Sequence, residues 1–446
     1  MLSPEKEYNS RDNLNVCSVD QLVPAEHLVR KLDKALDFER FRSLLSPYYD
    51  ESKGRPSIDP LVILKICFIQ EIFGIPSMRQ TIREIEVNMA YRWFLGYGIH
   101  DNIPHFATIS YAIVNRFPPE LFEEIFSIIL EQALNKGYIE SKYIFIDSTH
   151  IKANANKKKY RKELAQTMTK HYESNLLEEI NEYRISENKK PFKKKENKEY
   201  KLRTVSTSDP ESGYFVKGDH QPVFAYSSHV CCDTNNFILS CEVTSGNIHD
   251  SVVFDEVYNN IREDIKEDIE IIAVDSAYKT PWICKSVLEE GKKIAIPYTR
   301  PKTQKGNFKH YEYIYDEAND FIICPNKKTL VYTTVNRDGY KLYKTNDKDC
   351  AECPVKTQCT SSKSKTISKH IWHKYVEEAN NYRYTEEFKK VYPLRARTIE
   401  RVFADAKQKH SMRFTFLKGL KRVKASIMLK LASMNLKKMA MWAYNT

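Results

Sequence analysis

At 446 residues the chain has room for two or three domains and a sizeable core. Its 70 Lys and Arg exceed 59 Asp and Glu to give a formal charge of +11, which points to a polyanionic partner, a merely soluble basic enzyme being the alternative. Ten cysteines in a chain of this length argue for reduced thiols or metal ligation rather than disulfides. The longest apolar segment, 61–75, is broken by Lys65, Gln70 and Glu71, and the N-terminus lacks the basic, apolar and small-residue order of a leader. No membrane span and a cytoplasmic location are therefore expected.

Residues 1–135 read as a helical N-terminal DNA-binding domain, with amphipathic runs over 25–43, 59–73, 77–87 and 118–134. Ser77 follows Gly74 and Pro76, and Thr108-Ile109-Ser110 follows Pro104, so both sites suit helix starts. A helix-turn-helix is one reading; a generic helical packing domain is the other.

The next segment, 140–299, reads as the first part of an α/β catalytic core. Two strand-like runs, 143–147 and 271–275, are apolar and β-branched enough for a sheet buried on both faces, and they end in Asp147 and Asp275. Between them, 154–204 carries Lys157-Lys158-Lys159, Arg161-Lys162 and Lys193-Lys194-Lys195 around a polar helical middle, which suggests an inserted basic arm that is partly mobile and close to phosphate. Strands are expected at 222–230 and 236–243 around a turn at 233–235, then a helix over 250–262. Thr280 and Pro281 mark another helix start, and 292–298 a further strand.

Residues 300–391 read as a β-rich insertion, strand-like at 311–315, 321–324 and 330–334. It holds Cys324, Cys350, Cys353 and Cys359, one C-x-x-C with a further cysteine six residues beyond it. Four thiolates suit a structural Zn²⁺, and four reduced cysteines packed as small hydrophobes are the alternative. The other six cysteines lie in apolar patterns and read as core. The last segment, 392–446, reads as C-terminal helices of the catalytic core, with Glu400 and Lys407 seven residues apart and hence on one helical face.

Acids at the C-terminal ends of adjacent strands project into the crevice where open α/β sheets gather ligands. Asp147, Asp275 and Glu400 could there hold two Mg²⁺ ions, with Mn²⁺ as a substitute, for two-metal phosphoryl transfer. Each acid has a bland alternative, since an aspartate after a strand often caps a turn. Asp405 is the second choice as third ligand. Asp250 reads as the cap of its helix, and the role of His249 stays open.

These residues carry a resemblance. Ile146-Asp147-Ser148-Thr149-His150-Ile151-Lys152-Ala153-Asn154-Ala155, Asp209-Pro210, Gly246-Asn247-Ile248-His249-Asp250-Ser251 and Val274-Asp275-Ser276-Ala277-Tyr278 resemble successive motifs of insertion-sequence DDE transposases. Arg397-Thr398-Ile399-Glu400-Arg401-Val402-Phe403 with Lys407 resembles the closing motif, Arg55 to Pro60 the N-terminal domain, and the cysteine segment from Cys324-Pro325 the family's insert. The resemblance implies an RNase H-like mixed-sheet core in which Asp147, Asp275 and Glu400 bind two Mg²⁺, cleave transposon ends with water and join them through the freed 3′ hydroxyl. It also implies a homodimer on DNA that pairs two terminal inverted repeats, in a bacterial, nucleoid-associated setting. DNA contacts are expected from Lys407, Arg397, Arg401, Arg395, Tyr392 and Arg413. In the family's Y-x2-R-x3-E-x6-K pattern, Tyr392 and Arg395 each stand one residue early relative to Glu400. A nuclease of the same fold that does not join strands, and a DNA-binding repressor derived from a transposase, are the competing readings.

Overall fold

A computed structural model describes residues 14, 16–50, 57–166, 172–194, 200–216 and 222–443. Arg55, Pro56, Lys195 and the stretches 167–171 and 195–199 of the expected arm lie outside the described residues. The chain forms two compact units. One comprises residues 1–138, 404–414 and 421–446; the other comprises 139–403 and 415–420.

The first unit is helical. Its central helix, Pro60–Ile72, starts on an Asp59 cap with proline in the first turn and is buried on almost every side. Ser77 caps Met78–Val87, accepting a hydrogen bond from the Gln80 amide. The run expected over 25–43 is broken into Leu28–Ala35 and Arg40–Leu45. Thr108 lies inside a helix, Phe106–Tyr111, whose cap is His105. Residues 404–414 and 421–446 belong to this unit, whereas the sequence alone suggested the catalytic core for 392–446. The physical reason is burial: the helix Leu420–Trp442 is apolar on several faces, and its Lys430 pairs with the buried Glu71 carboxylate.

The second unit is built on a mixed sheet. Its strands are β1 (Tyr143–Lys152), β2 (Tyr160–Gln166), β3 (Tyr200–Ser206), β4 (Gly213–Phe215), β5 (Val223–Asp233), β6 (Ile238–Ser245), β7 (Ile271–Ala273) and β8 (Lys293–Ala295). The central order is β6–β5–β1–β7–β8, in which β6, β5 and β1 pair antiparallel and β1, β7 and β8 pair parallel. This mixed α/β arrangement is consistent with the expected RNase H-like core. Ile144, Phe145 and Ile146 are fully buried, as a strand covered on both faces requires.

The described parts of the basic segment form regular structure. β2 and β3 pair over seven residues and extend the sheet through β4, and the intervening helix, Glu173–Ser186, buries Leu176 and Ile180 against Val335 and Trp372. Apolar residues at 176 and 180, one helical turn apart, supply a packing stripe that the surrounding lysines obscure in the sequence.

The insertion forms its own five-stranded antiparallel sheet, β9 (Ile314–Asp316), β10 (Phe321–Ile323), β11 (Thr329–Val335), β12 (Tyr340–Lys344) and β13 (Thr366–His370), in that spatial order. Ile322, Leu330 and Tyr343 form its core. Tyr343 and Tyr315 both donate to Asp320 Oδ1, at 2.6 and 2.8 Å.

Candidate active site

The parallel pairing of β1 with β7 ends at Phe145 opposite Ala273, so Asp147 and Asp275 each stand two residues beyond the same rung. Asp147 does not end its strand. β1 continues to Lys152 because β5 goes on supplying an antiparallel partner after β7 has stopped. Asp275 leaves its strand and caps the short turn Ser276–Tyr278, its Oδ1 accepting from the Ala277 amide at 2.8 Å. The bland expectation of a capping aspartate is thus met at Asp275, and the cap also fixes where its carboxylate sits.

The Asp147 carboxyl is pushed up to about 6, chiefly by burial, with the charges of Asp275 and Asp250 adding to the effect. Arg395 opposes this. Its Nη2 donates to Asp147 Oδ2 at 2.6 Å, and its Nη1 reaches the carbonyls of Ile146 at 3.3 Å and Ala273 at 3.4 Å. Arg395 is buried, so its guanidinium ties together the two strands that carry the acids rather than presenting itself as the expected DNA contact. Tyr392 stacks on Phe388 and lies within electrostatic reach of Asp147, Asp275 and Glu400.

Glu400 is exposed in the first turn of the helix Ile399–Lys409, which also bears Arg401 and Lys407. The one-residue displacement of Tyr392 and Arg395 has a structural counterpart. Tyr392–Arg397 is a tight 3-10 helix, and Thr398 breaks from helical geometry with φ −108° and ψ −99° before the Glu400 helix begins. A bent junction of this kind can absorb an extra residue. Arg397 and Arg413 are exposed, while Asp405 is paired with Lys409 at 2.9 Å.

Asp250 does not cap the helix it was expected to cap. His249 caps the helix Asp250–Asn259, its Nδ1 accepting from the Ser251 amide. Asp250 is the first helical residue, its carboxylate 3.5 Å from the Nδ1 of buried His229. The preceding turn fits only because residue 246 is glycine: a Cβ there would lie 2.7 Å from the Ala225 carbonyl oxygen. Nothing in the sequence marked His229; Asp250 sat within a block already singled out.

The four insert cysteines line one small pocket, together with Thr345 and Lys328. Each sulfur has a polar partner: the Lys328 amide donates to Cys324 at 3.3 Å and Asn326 Nδ2 to Cys353 at 3.5 Å, while Cys350 lies 2.9 Å from Thr345 Oγ1 and Cys359 3.1 Å from the Tyr313 hydroxyl. Among the described residues no three His, Cys, Asp or Glu side chains stand in a ready-made metal cage.

Two family models match the chain: "Transposase domain (DUF772)" over residues 17–114 and "Transposase DDE domain" over residues 323–440. Residues 17–114 thus match a transposase domain and residues 323–440 a transposase DDE domain. The second match contains Glu400, Lys407 and the four cysteines; Asp147 and Asp275 lie between the two matched regions. No curated protein matches the chain by sequence. Among solved structures, a piggyBac transposase synaptic complex with hairpin DNA is similar at 9% identity, covering 94% of this chain and 73% of that one, with a TM-score of 0.32. A Mos1 transposase paired-end complex is similar at 13% identity, covering 58% and 64%, with a TM-score of 0.17.

Proposed function

We propose that this transposase cleaves DNA at insertion-sequence ends and joins the freed strands to a target by two-metal phosphoryl transfer, with Asp147, Asp275 and Glu400 as the metal-binding carboxylates. The observation that carries the reading is the equivalent placement of Asp147 and Asp275 two residues past one rung of neighbouring parallel strands. The donor set fits Mg²⁺, a hard cation that takes one or two carboxylates and completes its shell with water and substrate phosphate, so an all-protein cage is not required. Bound there, Mg²⁺ would activate the attacking oxygen and stabilise the leaving one.

The chain's own residues supply position and charge. Arg395 holds the Asp147 carboxylate and both strands in register. Lys407, Arg397, Arg401 and Arg413 are assigned to the DNA backbone, in keeping with the +11 charge, and Tyr392 to the substrate side of the acids. The four-cysteine pocket is assigned a structural Zn²⁺, because hydrogen bonds to sulfur are what ligating thiolates require. The working form is a homodimer pairing two terminal inverted repeats, acting in the cytoplasm at the nucleoid. No helix among the described residues is long and apolar enough to cross a membrane.

The test is purified protein with Mg²⁺ on labelled DNA bearing the ends of its own element, wild type beside Asp275→Asn. Nicks and strand-transfer products, both lost in a variant that still binds DNA, are expected. Nicks without joining would replace the reading with a nuclease, and binding without either product with a repressor.

A further inference from the structure

Phe145 on β1, Ala273 on β7 and Ala295 on β8 form one rung across three parallel strands. Asp147 and Asp275 stand two residues beyond that rung, and Tyr298 stands three residues beyond it on the strand next to Asp275. The Val274 amide still donates to the Ala295 carbonyl at 3.0 Å, so β7 and β8 stay together up to the residue before Asp275. Neighbouring strands lie about 4.8 Å apart, so β8 delivers its chain to the crevice about one strand spacing from Asp275.

Ile294, Ala295 and Ile296 are buried, yet Tyr298, two residues later, is 48% exposed. Its ring is one layer of a stack. The Arg383 guanidinium carbon lies 3.9 Å from the Tyr298 ring centroid and 4.4 Å from that of Tyr384, which is 65% exposed. Arg383 also donates to the Tyr384 hydroxyl. The Lys279 ammonium lies 5.3 Å from the Tyr298 centroid and is held by a 2.6 Å hydrogen bond to Asn380 Oδ1.

These two cations differ from those around them. Lys285, Lys292 and Lys293, on the same helix-and-strand unit, each pair with a glutamate. Among the described residues, neither Lys279 nor Arg383 pairs with a carboxylate. Two half-buried positive charges without an acid, beside exposed rings stacked on a guanidinium, fit an anion that carries a flat aromatic group. A nucleotide is such a group, since tyrosine faces and arginine planes stack any base and cations meet its phosphate. A base inside a duplex is covered by its neighbours, so only an unpaired one can reach a tyrosine face.

We propose that Tyr298, Arg383, Tyr384 and Lys279 form a nucleotide subsite beside the acids, in which an unpaired base of the DNA end stacks on the tyrosine and guanidinium layers while Lys279 meets its phosphate. The inference rests on the DNA-cleaving reading above and adds to it a place for the strand that separates at the cut.

The experiment is fluorescence anisotropy of the full chain with three labelled forms of double-stranded DNA bearing the element's end: blunt, extended by three unpaired dT nucleotides, and extended by three abasic ones. Wild type should prefer the dT extension over the abasic one by roughly 5- to 150-fold, the scale of one stacked base. Tyr298→Ala should remove most of that preference and Tyr298→Phe should keep it. Lys279→Gln should weaken both extended forms alike while the preference stays. Equal wild-type affinity for the dT and abasic extensions, or a preference undiminished in Tyr298→Ala, would overturn the inference. A 2-aminopurine base in the extension gives a second measure on the unmodified chain: its emission should be quenched on binding, and unchanged emission would overturn the inference. Cleavage without a dT preference would remove the subsite and leave the two-metal centre, whereas a dT preference without cleavage would do the reverse.

Discussion

The Arg395 guanidinium closes on the Asp147 carboxylate at 2.6 Å and reaches the carbonyls of Ile146 and Ala273 with its other nitrogen. One planar cation thus locks β1 to β7 at the point where both candidate metal-binding aspartates leave the parallel ladder. Arg395→Met strands a mostly buried carboxylate and two carbonyls, and should destabilise the chain by roughly 3 kcal/mol. Arg395→Lys should recover only part of that, because a point charge cannot serve three acceptors in a fork. Urea unfolding of both variants measures it, and a wild-type midpoint for Arg395→Met would contradict the anchoring role.

Glu71 and Lys430 form a second buried pair, with Glu71 only 6% exposed. Lys430→Met should cost roughly 3 to 5 kcal/mol at neutral pH, whereas the double replacement with Glu71→Leu should restore most of the loss. Burial already pushes the Glu71 carboxyl up, and removing Lys430 pushes it further. A folded-state acid raised above its unfolded value costs stability once pH passes the unfolded value of about 4.5, so Lys430→Met should regain stability as the pH falls. Denaturant midpoints at neutral and acid pH separate these expectations.

His410 is held to about 4 by burial, and its Nδ1 lies 2.8 Å from the Glu71 carbonyl oxygen. A histidine lowered on folding contributes stability that is present above its unfolded value of about 6.5 and is lost as pH falls toward 4. The full displacement corresponds to about 3 kcal/mol. His410→Gln should therefore flatten the acid limb of a stability-against-pH curve between those values. An unchanged limb would assign the acid sensitivity elsewhere.

The cysteine pocket predicts about one zinc ion per chain by elemental analysis. Cys353→Ser should lower the zinc content and the melting temperature together, and a strong chelator should lower the melting temperature of the wild type only. Full zinc occupancy in Cys353→Ser, or none in the wild type, would return these cysteines to ordinary packing.

Much of the fold could be read from residue order. Near-continuous apolar runs marked the strand that carries Asp147 and the strand that ends two residues before Asp275, and the Thr280–Pro281 start and Ser77 cap held because these signals act within a single turn of chain. The helical middle expected within 154–204 is present, but the surrounding lysines obscure its packing, which only Leu176 and Ile180 report. Asp250 misled for a related reason. A helix-start aspartate usually caps, and only the neighbouring imidazole of His249 shows that the cap was already taken.

By itself, then, the sequence determined what depends on neighbours along the chain: periodicity, the Ser77 and Thr280 caps, the apolar runs that lead into Asp147 and Asp275, and the Glu400 to Lys407 spacing. The tertiary structure alone decided which side chains share a dielectric environment. Arg395 and Asp147 are 248 positions apart, and His229 and Asp250 lie on different elements, yet each pair interacts because strand pairing and helix packing close the intervening distance. Burial then sets the energies, since a charge removed from water must find a partner wherever the fold brings one, and local sequence carries no record of that choice.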